Sequence, residues 1–346
     1  MDHHAKNPFK RYWIQCSILF TAYLAMIMYL LFFHRTTYSF ILCILLLLPI
    51  KMLVNLFANK NFIGILTNEL DAQKFYDTIH HKYMRPPLLY RLNAEWYMGN
   101  YEELMILAKA ELRVTKRLPV KCVCLVYLAR AYFELRDVEN LDKIVQEFFK
   151  LQKENPQKQK LFSRYPVFYD YMAYLSKDFE QCLSLVEDRM KAVNTGRFGG
   201  NLLLFTQRSN CAIAYYELGD LQKAKEIFEN IHQTAPKLRN FNHLSTKYLT
   251  AIENGDDTAL SPVIYRVNTA EYEQKILFVK KKRKVFALIW WMCVVLLLGS
   301  FIVPEYTRHQ EKTRQEQEYK ADEVERFEKG STPLCPHITE KTHRQV

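Results

Sequence analysis

Three long apolar blocks stand out from an otherwise mixed pattern of hydrophobic and polar positions. The first covers residues 13–33, which are 21 positions without a charge. As a helix rising about 1.5 Å per residue, this block spans the ~30 Å hydrocarbon core of a bilayer. The second covers residues 38–57, and the third covers residues 285–303, which are 19 positions without a charge. The pattern predicts three transmembrane helices, of which the first two form a hairpin.

The second block needs an explanation because it contains Lys51, and a charge inside a bilayer is costly. Lys51 lies six residues before Phe57, so its long stem can carry the ammonium group to the nearer membrane surface. We therefore expect a second span. The alternative is a shorter segment that lies in the interface.

Positive charges beside the three blocks indicate how the chain is oriented, because lysine and arginine accumulate on the cytoplasmic side of transmembrane helices. They are frequent before the first and third blocks and rare in the link between the first two. We therefore expect a multi-pass protein of the cytoplasmic membrane, with residues 1–12 and 60–275 in the cytoplasm and the polar tail 304–346 outside. The charges concerned are Lys6, Lys10, Arg11, Arg35, Lys280, Lys281, Lys282, Arg283 and Lys284.

The basic juxtamembrane segment 276–284 accounts for much of the net charge of +11. Its lysine and arginine run at 280–284 is predicted to contact the anionic head groups of membrane lipids, which attract such clusters. The alternative is that the run acts only as an orientation signal. No basic stripe with interleaved aromatic residues runs through the middle of the chain, so a nucleic-acid partner is not expected.

The middle of the chain repeats a pattern of one helix, a tight turn and a second helix. The turns fall at positions 99, 136, 177 and 219, which are 37, 41 and 42 residues apart. Each turn is followed by a residue that can cap a helix N-terminus, and then by apolar residues spaced three or four apart, as on a helix buried along one side. We predict four helix pairs within residues 60–275. The capping residues are Asn100, Asp137, Asp178 and Asp220.

The last helix pair resembles a known family. It follows the pattern of alanine, tyrosine, leucine–glycine, alanine, phenylalanine and proline that marks the tetratricopeptide repeat (TPR), whose period is about 34 residues. In other pairs, Arg136 and Lys177 replace the turn glycine. The chain also resembles uncharacterised bacterial multi-span membrane proteins with TPR-like repeats. The resemblance implies an all-α protein, a TPR-like α-solenoid combined with three transmembrane helices. The matching residues are Ala214, Tyr215, Tyr216, Leu218, Gly219, Asp220, Ala224, Phe228 and Pro236.

The resemblance further implies that a protein or peptide partner binds along the concave surface of the solenoid. The residue three positions before each turn is aromatic in all four pairs. If that position faces the groove, the four side chains form a ladder for an apolar or helical ligand. The alternative is ordinary packing between helices. The candidate groove residues are Trp96, Arg130, Phe133, Glu134, Tyr174, Ser209, Tyr216 and Glu217.

The sequence contains none of the common catalytic signatures. It has no phosphate-binding glycine loop, no His-Glu-x-x-His and no nucleophile elbow. Cys122 and Cys124 have no second pair of ligands at the spacing of a zinc site, so we interpret the cytoplasmic cysteines as buried thiols. We therefore expect no enzymatic activity, no cofactor, and no catalytic or metal-binding residues.

These observations favour a membrane-bound scaffold or adaptor that recruits a protein partner to the cytoplasmic face. Two other functions remain open. The chain could be an accessory subunit of a membrane complex for secretion, transport or envelope assembly, and a Lys51 that faces other helices would favour this. It could instead be a signal transducer that couples the outside tail to the repeats.

Overall fold

The computed structural model describes residues 8–33, 50, 52–54, 56–80, 86–192 and 200–328. Every regular element within these residues is a helix, and none is a strand. The all-α prediction is therefore confirmed for the described chain.

The α-helices are numbered here in chain order, and short helical turns lie between some of them. The first part of the chain contains α1 Pro8–Phe33, α2 Gly64–Asn68, α3 Ala72–Ile79, α4 Leu88–Met98, α5 Tyr101–Val114, α6 Leu118–Glu134 and α7 Val138–Glu154. The second part contains α8 Gln159–Phe162, α9 Val167–Leu175, α10 Phe179–Ala192, α11 Gly200–Glu217, α12 Leu221–Thr234, α13 Arg239–Asn254 and α14 Ala270–Glu328. A π-helical turn, Asn59–Ile63, precedes α2, and the 3₁₀ turns are Pro156–Lys158 and Thr258–Leu260.

The four predicted turns are present, and the backbone of each turn residue is left-handed. The φ angle is 74° at Gly99 and 81° at Gly219, which glycine adopts without a steric penalty. Arg136 and Lys177 have the same conformation, with φ of 55° and 58°. A residue with a side chain strains its backbone by about 1–2 kcal/mol there. The repeat pattern therefore located the turns even where glycine is missing.

Three of the four predicted capping residues cap their helices. Asp137, Asp178 and Asp220 each accept a backbone N–H from the residue three positions later, at 3.0 to 3.3 Å. Asn100 does not cap α5, because its side-chain amide donates to the Glu95 carboxylate at 3.0 Å instead. The caps show how strongly the local sequence determines where the second helix of each pair begins.

Helices α4 to α13 form successive hairpins around one hydrophobic core. The two helices of each pair pack against each other, as expected for antiparallel helix pairs. Stacked aromatic rings join these helices, with centroids 3.8 Å apart for Phe148 and Phe168 and 4.8 Å apart for Phe228 and Tyr248. All four side chains are buried, and burying each one contributes about 1.5–3 kcal/mol.

The last helix of the series returns to the first. Trp96 in α4 meets Phe241 in α13 edge-on, with ring centroids 5.5 Å apart. Nearby, the backbone N–H of Ala72 donates to the carbonyl oxygen of Lys237 at 3.3 Å. The two ends of the series of helix pairs are therefore in contact, and side chains of α4 and α13 pack together between them.

The apolar blocks are described only in part. Among the residues that the structure describes, no helix is both long and apolar enough to cross a membrane. Most of the second predicted span, 38–57, lies outside the described residues. The backbone of 13–33 and of 285–303 is helical, but several side chains of both blocks also lie outside the described set.

Helix α14 is the longest helix of the described chain, running through 59 residues from Ala270 to Glu328. Its first part, residues 270–284, leads into the third apolar block without a break. Pro304 directly follows the third apolar block in the sequence, but the helix does not end there. Proline removes one backbone hydrogen bond from the ladder, but the bonds on either side continue the helix into the tail. Residues 329–346 lie outside the described residues.

Candidate functional site

The eight residues predicted to line a partner groove lie inside the domain or at its partly buried edge, and several of them contact one another. Trp96, Phe133, Tyr174 and Ser209 are each at most 8% exposed, and the other four are only partly exposed. The rings of Phe133 and Tyr174 pack edge to face, with centroids 4.9 Å apart. This environment agrees with the alternative interpretation, in which the aromatic residues before the turns pack between helices. The partly exposed residues are Arg130, Glu134, Tyr216 and Glu217.

Helix α13 closes the side on which a partner was expected. Its N-terminal end lies against α4, where a methyl group on Gly99 would lie 3.9 Å from the backbone of Asn240. Its second half lies beside α11, where the rings of Tyr216 and Tyr248 are 5.0 Å apart. The repeat pattern gave no indication that this helix covers the groove. A signal was present, because Phe241, Leu244, Tyr248 and Ala251 form an apolar stripe, and all four are buried.

Glu134 lies near the centre of the domain and has a strongly perturbed pKa. Burial raises this pKa to about 7, while the Tyr101 hydroxyl, which donates to Oε2 at 2.5 Å, and the Arg130 guanidinium lower it. Arg130 in turn lies over the Trp96 ring, 4.6 Å from its centroid. A carboxyl group with a pKa near neutrality has the acidity of a general acid or base.

The chemistry open to Glu134 depends on the space beside its carboxyl group. The cavity beside it measures about 10 Å³, which holds one water-sized molecule. The buried side chains of Trp96 and Asn240 also lower the pKa of this carboxyl group. The buried Arg130 Nε and Ser245 Oγ have no hydrogen-bond partner among the described residues. In the described structure, Glu134 therefore belongs to a cluster of buried polar groups within the core.

An ion pair joins the turns of different helix pairs. Arg136 Nη2 lies 2.9 Å from Glu217 Oε1, and the Tyr174 hydroxyl donates to the same oxygen at 3.3 Å. The neighbouring Tyr216 hydroxyl donates to Asp257. We call this side of the domain, with the turns at 99, 136, 177 and 219, the turn end. The contact explains why Arg136 occupies a strained position, since glycine could not supply the guanidinium group.

The cysteines are poor candidates for chemistry. Cys122, Cys124, Cys182 and Cys211 are free and buried. Burial raises the pKa of Cys122 to about 11 and that of the other three to about 12. These thiols stay protonated at neutral pH, and the thiol form is a weak nucleophile and metal ligand. Within the described ranges, no group of three or more His, Cys, Asp or Glu residues could hold a metal ion.

The predicted lipid-facing cluster lies where α14 leaves the domain. Lys280 reaches back to Glu111 in α5, with Nζ 3.4 Å from Oε2. Lys281, Lys282 and Lys284 are exposed, and the side chain at 283 lies outside the described set. The cluster therefore combines one charge held against the domain with others that face outward.

Comparison of the chain with protein-family models, with curated proteins and with solved structures finds no match. The geometry described above is therefore the basis for a functional proposal.

Proposed function

We propose that this chain is a membrane-anchored, TPR-like helical-repeat scaffold that holds a protein partner at the cytoplasmic face of the membrane. The proposal is carried by one observation, that the flanks of the apolar blocks meet on the repeat domain. Two spans that form a hairpin return the chain to the side from which it left. The residue before the first span and the residue after the second should therefore be neighbours.

The structure supports this expectation with two contacts. The rings of Tyr12 and Phe62 lie 4.9 Å apart, and Asn61 Nδ2 donates to Gln15 Oε1 at 2.7 Å across 46 residues of chain. Asn61 and Phe62 belong to the π-helical turn at the start of the repeat domain. The chain thus departs from this site along α1 and comes back to it, as a membrane hairpin requires.

Helix α14 leaves from the same part of the domain. Tyr12 lies close enough to Tyr90 of α4 for the two phenols to interact electrostatically. The next residue, Arg91, has its guanidinium 5.3 Å from the ring centroid of Tyr272 in α14. Both helices that carry an apolar block therefore begin beside the first turn of α4.

The exposed surface of these two helices also favours a membrane. On α1, Ile18 and Phe20 are 64% and 60% exposed, and on α14, Leu288 and Val295 are 63% and 62% exposed. Contiguous apolar surface of this kind marks a site of interaction with a membrane or a partner. In the sequence, the two blocks run for 21 and 19 residues without a charge, and uncharged runs of this length favour the membrane over a protein partner.

The partner surface is assigned to the turn end, because α13 fills the interior. Val138, Leu218 and Leu221 are 49%, 40% and 42% exposed there. The ion pair between Arg136 and Glu217 holds their two turns together, so these apolar side chains share one surface. Exposed apolar side chains rimmed by polar ones are typical of protein-binding sites.

Topology is the first test. Single cysteines are introduced by Arg35→Cys and Lys150→Cys, and Cys335 is kept alone in a third variant, after the other cysteines are replaced. A membrane-impermeant maleimide applied to intact cells should label positions 35 and 335, and should label position 150 only after permeabilisation. Labelling of position 150 from outside, or release of the protein by alkaline carbonate, would contradict the proposal.

Partner binding is tested separately by photo-crosslinking in cells. A photoreactive amino acid replaces Val138 or Leu221 at the turn end, and replaces Leu203, which is 45% exposed on α11, as the matched control. We expect the same protein to crosslink to both turn-end positions and not to position 203. A crosslinking pattern that does not distinguish these positions would remove the turn end as the binding surface.

A further inference from the structure

Three basic segments lie at the side of the domain opposite the turn end. The segment 113–121 contains four lysine or arginine residues and no acid, and 150–164 contains five with one acid. The run 280–284 adds five more. The first two segments connect the second helix of one pair to the first helix of the next, so both lie away from the turns. Sequence reasoning singled out only the third segment.

The three segments converge around the N-terminal end of α6. Segment 113–121 includes that end. Helices α6 and α7 have 17 residues each and pack as an antiparallel pair, so the C-terminal end of α7, where segment 150–164 begins, lies beside this end of α6. Burial raises the pKa of Cys124 to about 12, and the nearby Lys280 ammonium opposes this shift. Side chains from both neighbouring segments therefore surround the first turns of one helix, and we call the combined surface of 113–121, 150–164 and 280–284 the basic face.

Most charges of the basic face are not neutralised by the protein. Arg113 pairs with Glu273, and Lys280 pairs with Glu111. In the described part of the chain, the other basic residues of segments 113–121 and 150–164 form no ion pair. Seven of those residues are exposed, namely Lys116, Arg117, Lys150, Lys153, Lys158, Lys160 and Arg164. Keeping so many like charges exposed and close together favours an external anionic partner.

The apolar surface beside these charges indicates which anion is expected. Leu277, Phe278 and Val279 are 55%, 68% and 46% exposed, directly before the run 280–284. The third apolar block follows the same run in α14. Basic residues next to exposed aromatic and aliphatic side chains are typical of surfaces that lie on a bilayer. A nucleic acid would match the charge but would leave this apolar surface exposed.

We propose that the basic face docks the repeat domain flat on the membrane by binding anionic lipid head groups of the leaflet from which α1 and α14 leave. This proposal rests on the proposed membrane anchoring and adds an orientation to it. With the basic face on the lipid, the turn end faces the cytoplasm, where a partner can reach it. The two juxtamembrane helices alone would hold the domain near the bilayer without setting this orientation.

The test uses the full chain in lipid nanodiscs and hydrogen–deuterium exchange read by mass spectrometry. One set of discs contains phosphatidylcholine, and the other contains phosphatidylcholine with phosphatidylserine. We expect peptides covering 112–121 and 150–164 to exchange at least about threefold more slowly with the anionic lipid, since polybasic segments are attracted to such surfaces. High salt should remove this difference, because it screens exposed charges.

A matched pair of variants distinguishes the basic face from lysines in general. The test variant neutralises four exposed lysines of the basic face, and the control variant neutralises four lysines elsewhere on the domain. The lipid-dependent protection should vanish in the first and persist in the second. Equal behaviour of the two variants, or no effect of phosphatidylserine on the unmodified protein, would overturn the proposal. The variants are K116Q/K153Q/K158Q/K160Q and K143Q/K177Q/K191Q/K225Q.

Two further arms identify the cause of a negative result. Protection of the same peptides by a single-stranded RNA oligonucleotide in phosphatidylcholine discs, without an effect of phosphatidylserine, would assign the face to nucleic acid and overturn the lipid proposal.

A protein that does not enter nanodiscs at all contradicts the membrane anchoring. In that case, the same chain is tested for salt-reversible binding to phosphatidylserine vesicles, and absence of such binding would overturn the basic-face proposal as well.

Discussion

The turn end and the basic face use charged residues in different ways. At the turn end, Arg136 pairs with Glu217 across 81 residues of chain, and the carboxylate of Asp137 caps a helix. On the basic face, Lys153 and Lys158 are exposed and have no ion-pair partner among the described residues. The charges of the turn end are therefore part of the fold, whereas those of the basic face are available to bind something outside it.

The two surfaces should therefore respond differently to substitution. Substitutions at the turn end should change stability and its pH dependence, because they remove contacts within the protein. Substitutions on the basic face should change binding and leave stability nearly unchanged. Thermal unfolding of the full chain in detergent measures the stability of each variant.

Arg136→Met should have the largest effect. It leaves the partly buried Glu217 and the hydroxyl of Tyr174 without their cation, and losing a hydrogen bond to a charged group costs about 2–3 kcal/mol. The unfolding midpoint should fall by roughly 5–10 °C for a domain of this size. Arg136→Gly relieves the strained φ of 55° and should therefore lose less. Equal losses in the two variants would show that backbone strain at this turn is negligible.

Glu134 should make the protein less stable as pH rises. Its pKa is about 7 in the folded chain, against an ordinary value of 4.5. The folded state therefore binds the proton more tightly, and stability falls between pH 4.5 and pH 7 by on the order of 3 kcal/mol. Burial also raises the pKa of Asp170, to about 6, and adds a change of the same sign. Glu134→Gln should flatten the profile above pH 6, where Asp170 contributes little, and a profile identical to that of the unmodified protein would contradict this assignment.

Gly219→Ala should cost about 1 kcal/mol. The φ angle there is 81°, and nothing lies within 4 Å of the added methyl group, so the cost comes from the backbone alone. A midpoint shift of roughly 2–4 °C is expected. Alanine at position 177, which already holds a residue with a side chain in the same conformation, should change the midpoint much less and is the matched control.

His80 should add a smaller pH effect near the first turn. Its Nε2 lies 3.1 Å from Glu95, and this contact raises the pKa of His80 above 6.5. The stabilisation is fully present below pH 6.5 and is lost as pH rises through the pKa of the folded state. Because His80 is 39% exposed, solvent screening limits the effect to about 0.5 kcal/mol. Titration of the imidazole by NMR, compared with Glu95→Gln, measures it directly.

The smallest effect on stability is expected on the basic face. The quadruple variant K116Q/K153Q/K158Q/K160Q should leave the unfolding midpoint within roughly 2 °C of the unmodified protein, since exposed substitutions usually change stability by less than about 0.5 kcal/mol. A large loss of stability would show that these lysines stabilise the fold, and the contrast between the two ends would then fail.

Much of the helical framework was predictable because its signals are local. The turn at Gly219 and the cap at Asp220 depend on a single φ angle and on one hydrogen bond to a residue three positions away. The same holds at Arg136, where the repeat spacing located the turn without a glycine. The end of α14 could not be predicted from Pro304, because a proline weakens a helix but does not by itself terminate it.

The sequence predicted which residues belong to the candidate groove, but not whether the groove is open. The aromatic position before each turn marks the inner side of each first helix, and these side chains do come together. Whether that side stays open depends on the rotation from each helix pair to the next, which accumulates over the whole series. No short stretch of sequence encodes this rotation. The contact between α13 and Trp96 therefore could not be predicted from the sequence of α4 or of α13 alone.

By itself, the sequence determined the all-helical class, the helix pairs, their turns and most of their caps, because each of these depends on residues within about one helical turn. It also placed every charge that later formed the basic face. Only the tertiary structure decided that the groove is filled, that Arg136 meets Glu217, and that Tyr12 meets Phe62 beside the start of α14. These contacts join residues tens of positions apart, and they depend on how complete helices pack against one another.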